Sequence, residues 1–201
     1  MERSFSIEIS LAAQRQLLRI ARESITHGLA SQRPLTIAAD DLVGALGEPR
    51  ATFVTLMQRD MLRGCLGSME PVRPLAAAVS EAAFGAAFRD SRFPPLRAEE
   101  LGDTTIHVSV LSDLEPLTAV SEQLLLAQLH AGADGLVLEE GWRRATFLPK
   151  VWSQLAEPQA FLRALKQKAG LPPDYWSGSL RFHRYSTHSF SEEQTTTPAL
   201  A

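Results

Sequence analysis

Two runs of β-branched and aromatic residues, each turning back on itself across a few polar residues, constrain this chain more than any other feature. Ala51-Thr52-Phe53-Val54-Thr55-Leu56-Met57 is followed, after Gln58-Arg59-Asp60, by Met61-Leu62-Arg63-Gly64-Cys65-Leu66. The second pair runs from Leu136 to Leu148 and reverses near Glu140-Gly141. Strand-forming runs separated by so few residues close as antiparallel hairpins, because a parallel crossover needs a dozen residues or more. A third strand is expected over 104–111, where Ile106, Val108 and Val110 alternate with Thr105, His107 and Ser109.

Helical segments lie between these strands. From about 6 to 30, Leu17, Ile20, Ala21, Ser24 and Ile25 share one side of a helical wheel, with Gly28 and Pro34 read as stop signals. The alanine-rich stretch 75–88, broken only by Gly85, predicts a largely buried helix. Pro158 to Ala169 predicts another, with Pro158 in its first turn and Gly170 at its end. Between them, Asp90-Ser91-Arg92-Phe93-Pro94-Pro95 is a stiff loop, since consecutive prolines exclude a helix interior or a central strand. Segment 39–49 is expected to be a short helix or loop, and 180–190 a closing strand. Residues 192–201 read as a flexible tail. The expected fold is therefore α+β, a mostly antiparallel sheet with flanking helices. One domain over 1–191 is the simplest division, with a smaller lobe at about 75–101.

Composition narrows the function. The chain is 45% hydrophobic and 21% charged, with a net charge of −3, so no global field draws it to nucleic acid or to an anionic bilayer. Nucleic-acid binding through Arg143, Arg144, Arg181 and Arg184 ranks well behind a solvated strand face. No run is long and apolar enough to span a membrane, and no secretory signal is visible, so the chain reads as cytoplasmic. A single cysteine excludes an intrachain disulfide and a multi-cysteine metal site. Read as neighbours on one strand, His183 and His188 would point to opposite faces, so no metal is expected. HExxH, GxSxG and P-loop motifs are missing, and no cofactor is expected.

Leu62-Arg63-Gly64-Cys65-Leu66-Gly67 is where chemistry could reside. Glycine within a strand marks a bulge or a close approach by another backbone or a ligand. In a functional reading Cys65 is a nucleophile, its thiolate favoured by Arg63 or Arg92 or by His107 as base. In a structural reading it is a small buried hydrophobe with glycines for tight packing. Asp90 and Arg92 divide in the same way, between fixed polar groups of a site and an ion pair that fastens the loop.

These residues resemble the AMMECR-type domain, also called AmmeMemoRadiSam system protein A. The hallmark is an LRGCIG-like hexapeptide, here LRGCLG at Leu62 to Gly67. ATFVTL at Ala51 to Leu56, DSRFPP at Asp90 to Pro95, VSVL at Val108 to Leu111, ATFLPKV at Ala145 to Val151 and FLRALKQKAGLPPDYW at Phe161 to Trp176 support it. The resemblance implies a single α+β unit with a larger and a smaller lobe, and a family without a defined biochemical activity. It places the site at Arg63, Gly64, Cys65 and Gly67, with Asp90 and Arg92 on the neighbouring motif, and does not identify the substrate. With the reading of the residues themselves, Cys65, Arg63, Asp90 and Arg92 are the catalytic candidates, and Gly64, Gly67, Phe93 and His107 the substrate-binding ones, for a small anionic substrate held by Arg63 and Arg92. Whether the protein is an enzyme stays open. The alternative is a non-catalytic partner of a Memo-like protein, related to extradiol dioxygenases, and of a radical SAM protein.

Overall fold

The computed structural model describes residues 9–193. Its elements run in chain order as α1 (Leu11–Ser31), β1 (Thr52–Gln58), β2 (Met61–Ser68), α2 (Leu75–Phe88), β3 (Thr105–Leu111), β4 (Glu115–Leu117), α3 (Glu122–Leu126), β5 (Gly135–Glu140), β6 (Arg143–Phe147), α4 (Pro158–Lys168), β7 (Arg181–Tyr185) and β8 (Thr187–Ser191). Short 3-10 turns fill Ala39–Asp41, Gly44–Leu46, Ala98–Asp103 and Pro149–Ser153. The fold is α+β, with two antiparallel four-stranded sheets of order β2-β1-β3-β8 and β4-β7-β5-β6. The described chain divides into two units, one of residues 112–187 and the other of 9–111 with 188–193.

In the larger unit, β1 and β2 close through Arg59 and Asp60, both with positive φ (49° and 63°), the pattern of a two-residue turn whose twist matches its strands. Along β1 and β3 the apolar positions Val54, Leu56, Ile106, Val108 and Val110 are fully buried on one face. Helices α1 and α2 cover that face. Ser10 caps α1 by accepting the Ala13 N–H. Gly28 does not stop this helix. It lies inside α1, where a Cβ would meet the Phe84 and Phe88 rings of α2 at 2.6 Å, and the helix ends instead at Gln32 in the left-handed conformation.

The expected smaller lobe at 75–101 also differs from the observed division. Helix α2 is buried along most of its length and shares one core with β1, β2 and α1, because its alanines and Gly85 let it lie close against the sheet. The smaller unit is residues 112–187. There α4 packs on β5, β6 and β7, with Phe161 stacked on Trp152 at 3.8 Å between ring centres and Leu162 and Leu165 beside it. Lys166, fully buried, donates to Glu122 at 2.5 Å and so ties α4 to α3.

The chain from 180 to 190 is not one strand. Ser186 donates its N–H to Ser112 Oγ and accepts the Ser112 N–H on its carbonyl, which takes its backbone out of both ladders. His183 and His188 consequently lie on different strands of different sheets. Glu192, expected to open a flexible tail, is instead held in place: its carboxylate takes both Arg22 Nε and Nη2 at 2.6 Å and accepts the Ile106 N–H. The rest of the segment expected to be a tail, from 194 on, lies outside the described residues, as does the start of the first predicted helix.

Candidate functional site

Strand β2 is the edge of its sheet, and it carries the hexapeptide. Leu56 pairs with Gly64 and Met57 with Leu62, so Arg63 is the extra residue of a β-bulge. A bulge re-aims the side chain it inserts. Arg63 turns inward, is buried, and meets Glu100 of the turn Ala98–Asp103 in a two-pronged pair, Nε–Oε1 2.9 Å and Nη2–Oε2 3.2 Å. The hydrogen bonds from Arg63 outweigh burial and, with the Arg97 N–H and Gln58, hold the Glu100 carboxyl down at about 2. Gln58 Nε2 also donates to Thr104 Oγ1. Arg63 Nη1 is buried with no hydrogen-bond partner.

The two glycines follow from backbone packing. A Cβ on Gly64 would lie 2.1 Å from the Ala86 carbonyl oxygen of α2, and one on Gly67 would lie 2.2 Å from the Thr52 carbonyl oxygen. Between them, Leu66 seats its side chain over Gly85. Gly64 and Leu66 thus serve the joint between β2 and α2, and Gly67 the joint between β2 and β1.

Cys65 is half-buried and faces the other side of the sheet. It pairs with Thr55, whose hydroxyl donates to Cys65 Sγ at 3.3 Å. Both backbone polar atoms of Cys65 are bound from the stiff loop. Its N–H donates to Asp90 Oδ2 at 2.8 Å, and its carbonyl accepts from Arg92 Nη2 at 3.3 Å. Asp90 in turn accepts from Arg92 N, Nε and Nη2. The guanidinium bonds, with the Cys65 and Arg92 amides, hold the Asp90 carboxyl far below the usual carboxylate range although burial opposes this. The pair raises Arg92 in the opposite sense. A carboxylate and a guanidinium therefore stand where a neighbouring strand would place its carbonyl and amide.

His107 of β3 lies opposite Thr55, which makes a cross-strand row of Cys65, Thr55 and His107. At about 4.8 Å per strand the backbones of Cys65 and His107 are roughly 10 Å apart, so Thr55 stands between them. Phe93 is half-buried, with the Arg92 guanidinium 5.5 Å over its ring. Of the residues singled out in the sequence, Cys65, Asp90 and Arg92 come together, Phe93 joins them through Arg92, and Arg63 is committed to Glu100. Thr55 and Glu100 were not expected. The alternation of β1 places Thr55 on the polar face, a readable signal, whereas nothing local marks Glu100 as the partner of Arg63.

Elsewhere, Arg184 is paired with Glu115 and Arg144 with Glu139, while Arg143 lies 5.3 Å over the exposed Trp142 ring. Among the described residues no three His, Cys, Asp or Glu side chains gather as a metal site, and no helix is long and apolar enough to cross a membrane.

Comparison with known proteins gives the class to which this α+β fold belongs. The AMMECR1 family profile matches residues 18–190, and the chain belongs to that family. A protein of Methanothermobacter thermautotrophicus is 40% identical over 181 residues, spanning 89% of this chain and 94% of its own. One from Thermococcus gammatolerans is 36% identical, with 88% and 89% covered. The crystal structure of uncharacterized protein PH0010 from Pyrococcus horikoshii superposes with a TM-score of 0.82 at 32% identity, covering 91% of this chain and 93% of that one.

Proposed function

We propose that the protein is an enzyme that works through the Cys65 thiol on a small-molecule substrate. The observation that carries this reading is the fixing of one half-buried cysteine on three sides, by Thr55 at sulfur, Asp90 at the amide and Arg92 at the carbonyl. Only the Thr55 hydroxyl reaches the sulfur itself, and the Asp90 and Arg92 bonds fix the backbone that carries it. The Thr55 hydroxyl orients the sulfur, the atom that would attack as nucleophile. His107 lies one strand further along the same row, on the face a bound substrate would meet. Arg92, with its side chain 55% exposed, is the cation an anionic substrate meets first. Arg63 acts from inside by holding the strand.

Alkylation of the only cysteine tests this directly, with iodoacetamide as neutral probe and iodoacetate as anionic probe. The native protein is expected to react with both, iodoacetate gaining relative to its ratio on a free thiol, and Arg92→Gln is expected to remove that gain. A thiol that reacts only after unfolding overturns the proposal.

A second reading rests on the loop itself, which presents Ser91, Arg92, Pro94 and Pro95 to solvent from a clamped backbone. In it the loop is a recognition surface for a Memo-like or radical SAM protein. Co-purification lost on Phe93→Ala supports this reading, and no complex at micromolar concentrations removes it.

A further inference from the structure

The larger unit holds a pocket of about 200 Å³ on the side of β2 opposite the thiol, between the sheet and α2. It is smaller than the roughly 300–1,000 Å³ that drug-sized ligands occupy. Leu66, Ala78 and Ala82 make its floor, an apolar surface suited to a short branched aliphatic chain. Its mouth carries two cations, Arg50 and Arg73, and two anions, Glu70 and Glu81. The rim is therefore charge-balanced, which disfavours a simple anion or a simple cation and matches a ligand with both charges.

These rim charges can be recruited. Glu81 meets Arg73 at 3.5 Å and Arg89 at 3.0 Å, with side chains 37%, 57% and 55% exposed, and Arg50 meets Glu48 at 2.9 Å with 27% and 58% exposed. Pairs open to solvent in this way contribute little, so a ligand's own charges can replace them. The buried Arg63–Glu100 pair differs, because removing either partner strands a charge away from water.

We infer that this pocket binds a small aliphatic zwitterion, a free amino acid with a short branched side chain, with its carboxylate on the rim arginines, its ammonium on the rim glutamates and its side chain on Leu66, Ala78 and Ala82. The inference is independent of the Cys65 chemistry, because its readout is binding alone.

The test is a titration of the full-length protein followed by two-dimensional NMR, with L-leucine, isovaleric acid and isopentylamine as probes. L-leucine is expected to give saturable shifts at Leu66, Gly67, Ala78 and Ala82 in the millimolar range, and each singly charged probe to bind at least tenfold more weakly. Arg73→Glu, at an exposed side chain, should weaken L-leucine tenfold or more and strengthen isopentylamine. Ala82→Trp should abolish binding if the variant folds, and the Arg73 variant decides the matter if it does not. Absence of saturable shifts with L-leucine, or equal binding of isovaleric acid, overturns the proposal.

Discussion

Replacing Glu100 by Gln keeps the size of the side chain, and keeps an acceptor for the Arg97 N–H, while removing the charge that faces Arg63. Two routes give the expected loss. The Glu100 carboxyl is displaced from 4.5 to about 2, and each tenfold change in proton affinity is worth about 1.4 kcal/mol, so the displacement corresponds to about 3 kcal/mol. Independently, breaking a buried ion pair from one side costs about 3–5 kcal/mol; with side-chain exposures of 10% for Arg63 and 19% for Glu100, the lower end applies. For a chain of this size about 3 kcal/mol lowers the melting temperature by roughly 6–12 °C. The pH dependence has a definite sign. A depressed carboxyl contributes in full above its unfolded value, near 4.5, and loses the contribution as pH falls toward about 2. Urea denaturation of wild type and Glu100→Gln should show a gap of about 3 kcal/mol at pH 7 that narrows to about 1 kcal/mol at pH 3. A gap under about 0.5 kcal/mol at pH 7, or one that acid leaves unchanged, would refute the reasoning. Other depressed carboxylates are common to both proteins and cancel in the difference.

Gly64→Ala forces a Cβ to within 2.1 Å of a helix backbone oxygen and should cost about 3 kcal/mol, whereas Gly102→Ala, which meets no atom within 4 Å, should be near neutral. Equal melting temperatures for the two variants would count against the packing argument. Asp90→Asn weakens charge-assisted bonds to Arg92 and to the Cys65 amide. It should cost about 2 kcal/mol and speed hydrogen exchange at the Cys65 N–H, as measured by NMR. Burial pushes the Tyr185 hydroxyl up to about 12 against the opposing hydrogen bond with Thr146. Its stabilising contribution is full below pH 10 and lost as pH rises through about 12. The absorbance difference between wild type and Tyr185→Phe should therefore show no tyrosinate near pH 10.

The parts of the fold legible in the sequence are those fixed locally. Helix α2 begins where Pro74 and Leu75 predict, α4 takes Pro158 at its first position, and the β1–β2 hairpin follows from its own turn residues. What distant contacts decide was not legible. Strand β4 has three residues, including Pro116, and α3 has five; buried Leu125 and the Glu122–Lys166 pair hold α3 in place rather than any propensity. Gly28 reads as a helix stop until the two phenylalanines of α2 occupy its surface. The break at Ser186 comes from Ser112, far away in sequence. At the site, the hexapeptide and the loop are visible as motifs. The inward turn of Arg63 and the reach of Asp90 to a backbone amide depend on a bulge and on a contact across 25 positions.

An exposed edge strand invites pairing with another chain, and β2 is protected in two ways. The bulge at Arg63 interrupts its ladder, and the Asp90–Arg92 pair covers the amide and carbonyl of Cys65. Within the hexapeptide, Arg63 anchors the bulge, Gly64 admits α2, Leu66 seats on Gly85 and Gly67 lets β1 approach. Each of these residues already has a structural task, so lost activity on changing any of them would confound folding with function. The Cys65 thiol is different, because its hydrogen bond comes from a neighbouring hydroxyl and its backbone contacts survive any side-chain change. Cys65→Ser keeps every backbone contact and replaces only the sulfur, and Thr55→Val removes only the hydroxyl beside it. These two substitutions separate the chemistry of the site from its architecture, and the response of the first should carry the greater weight.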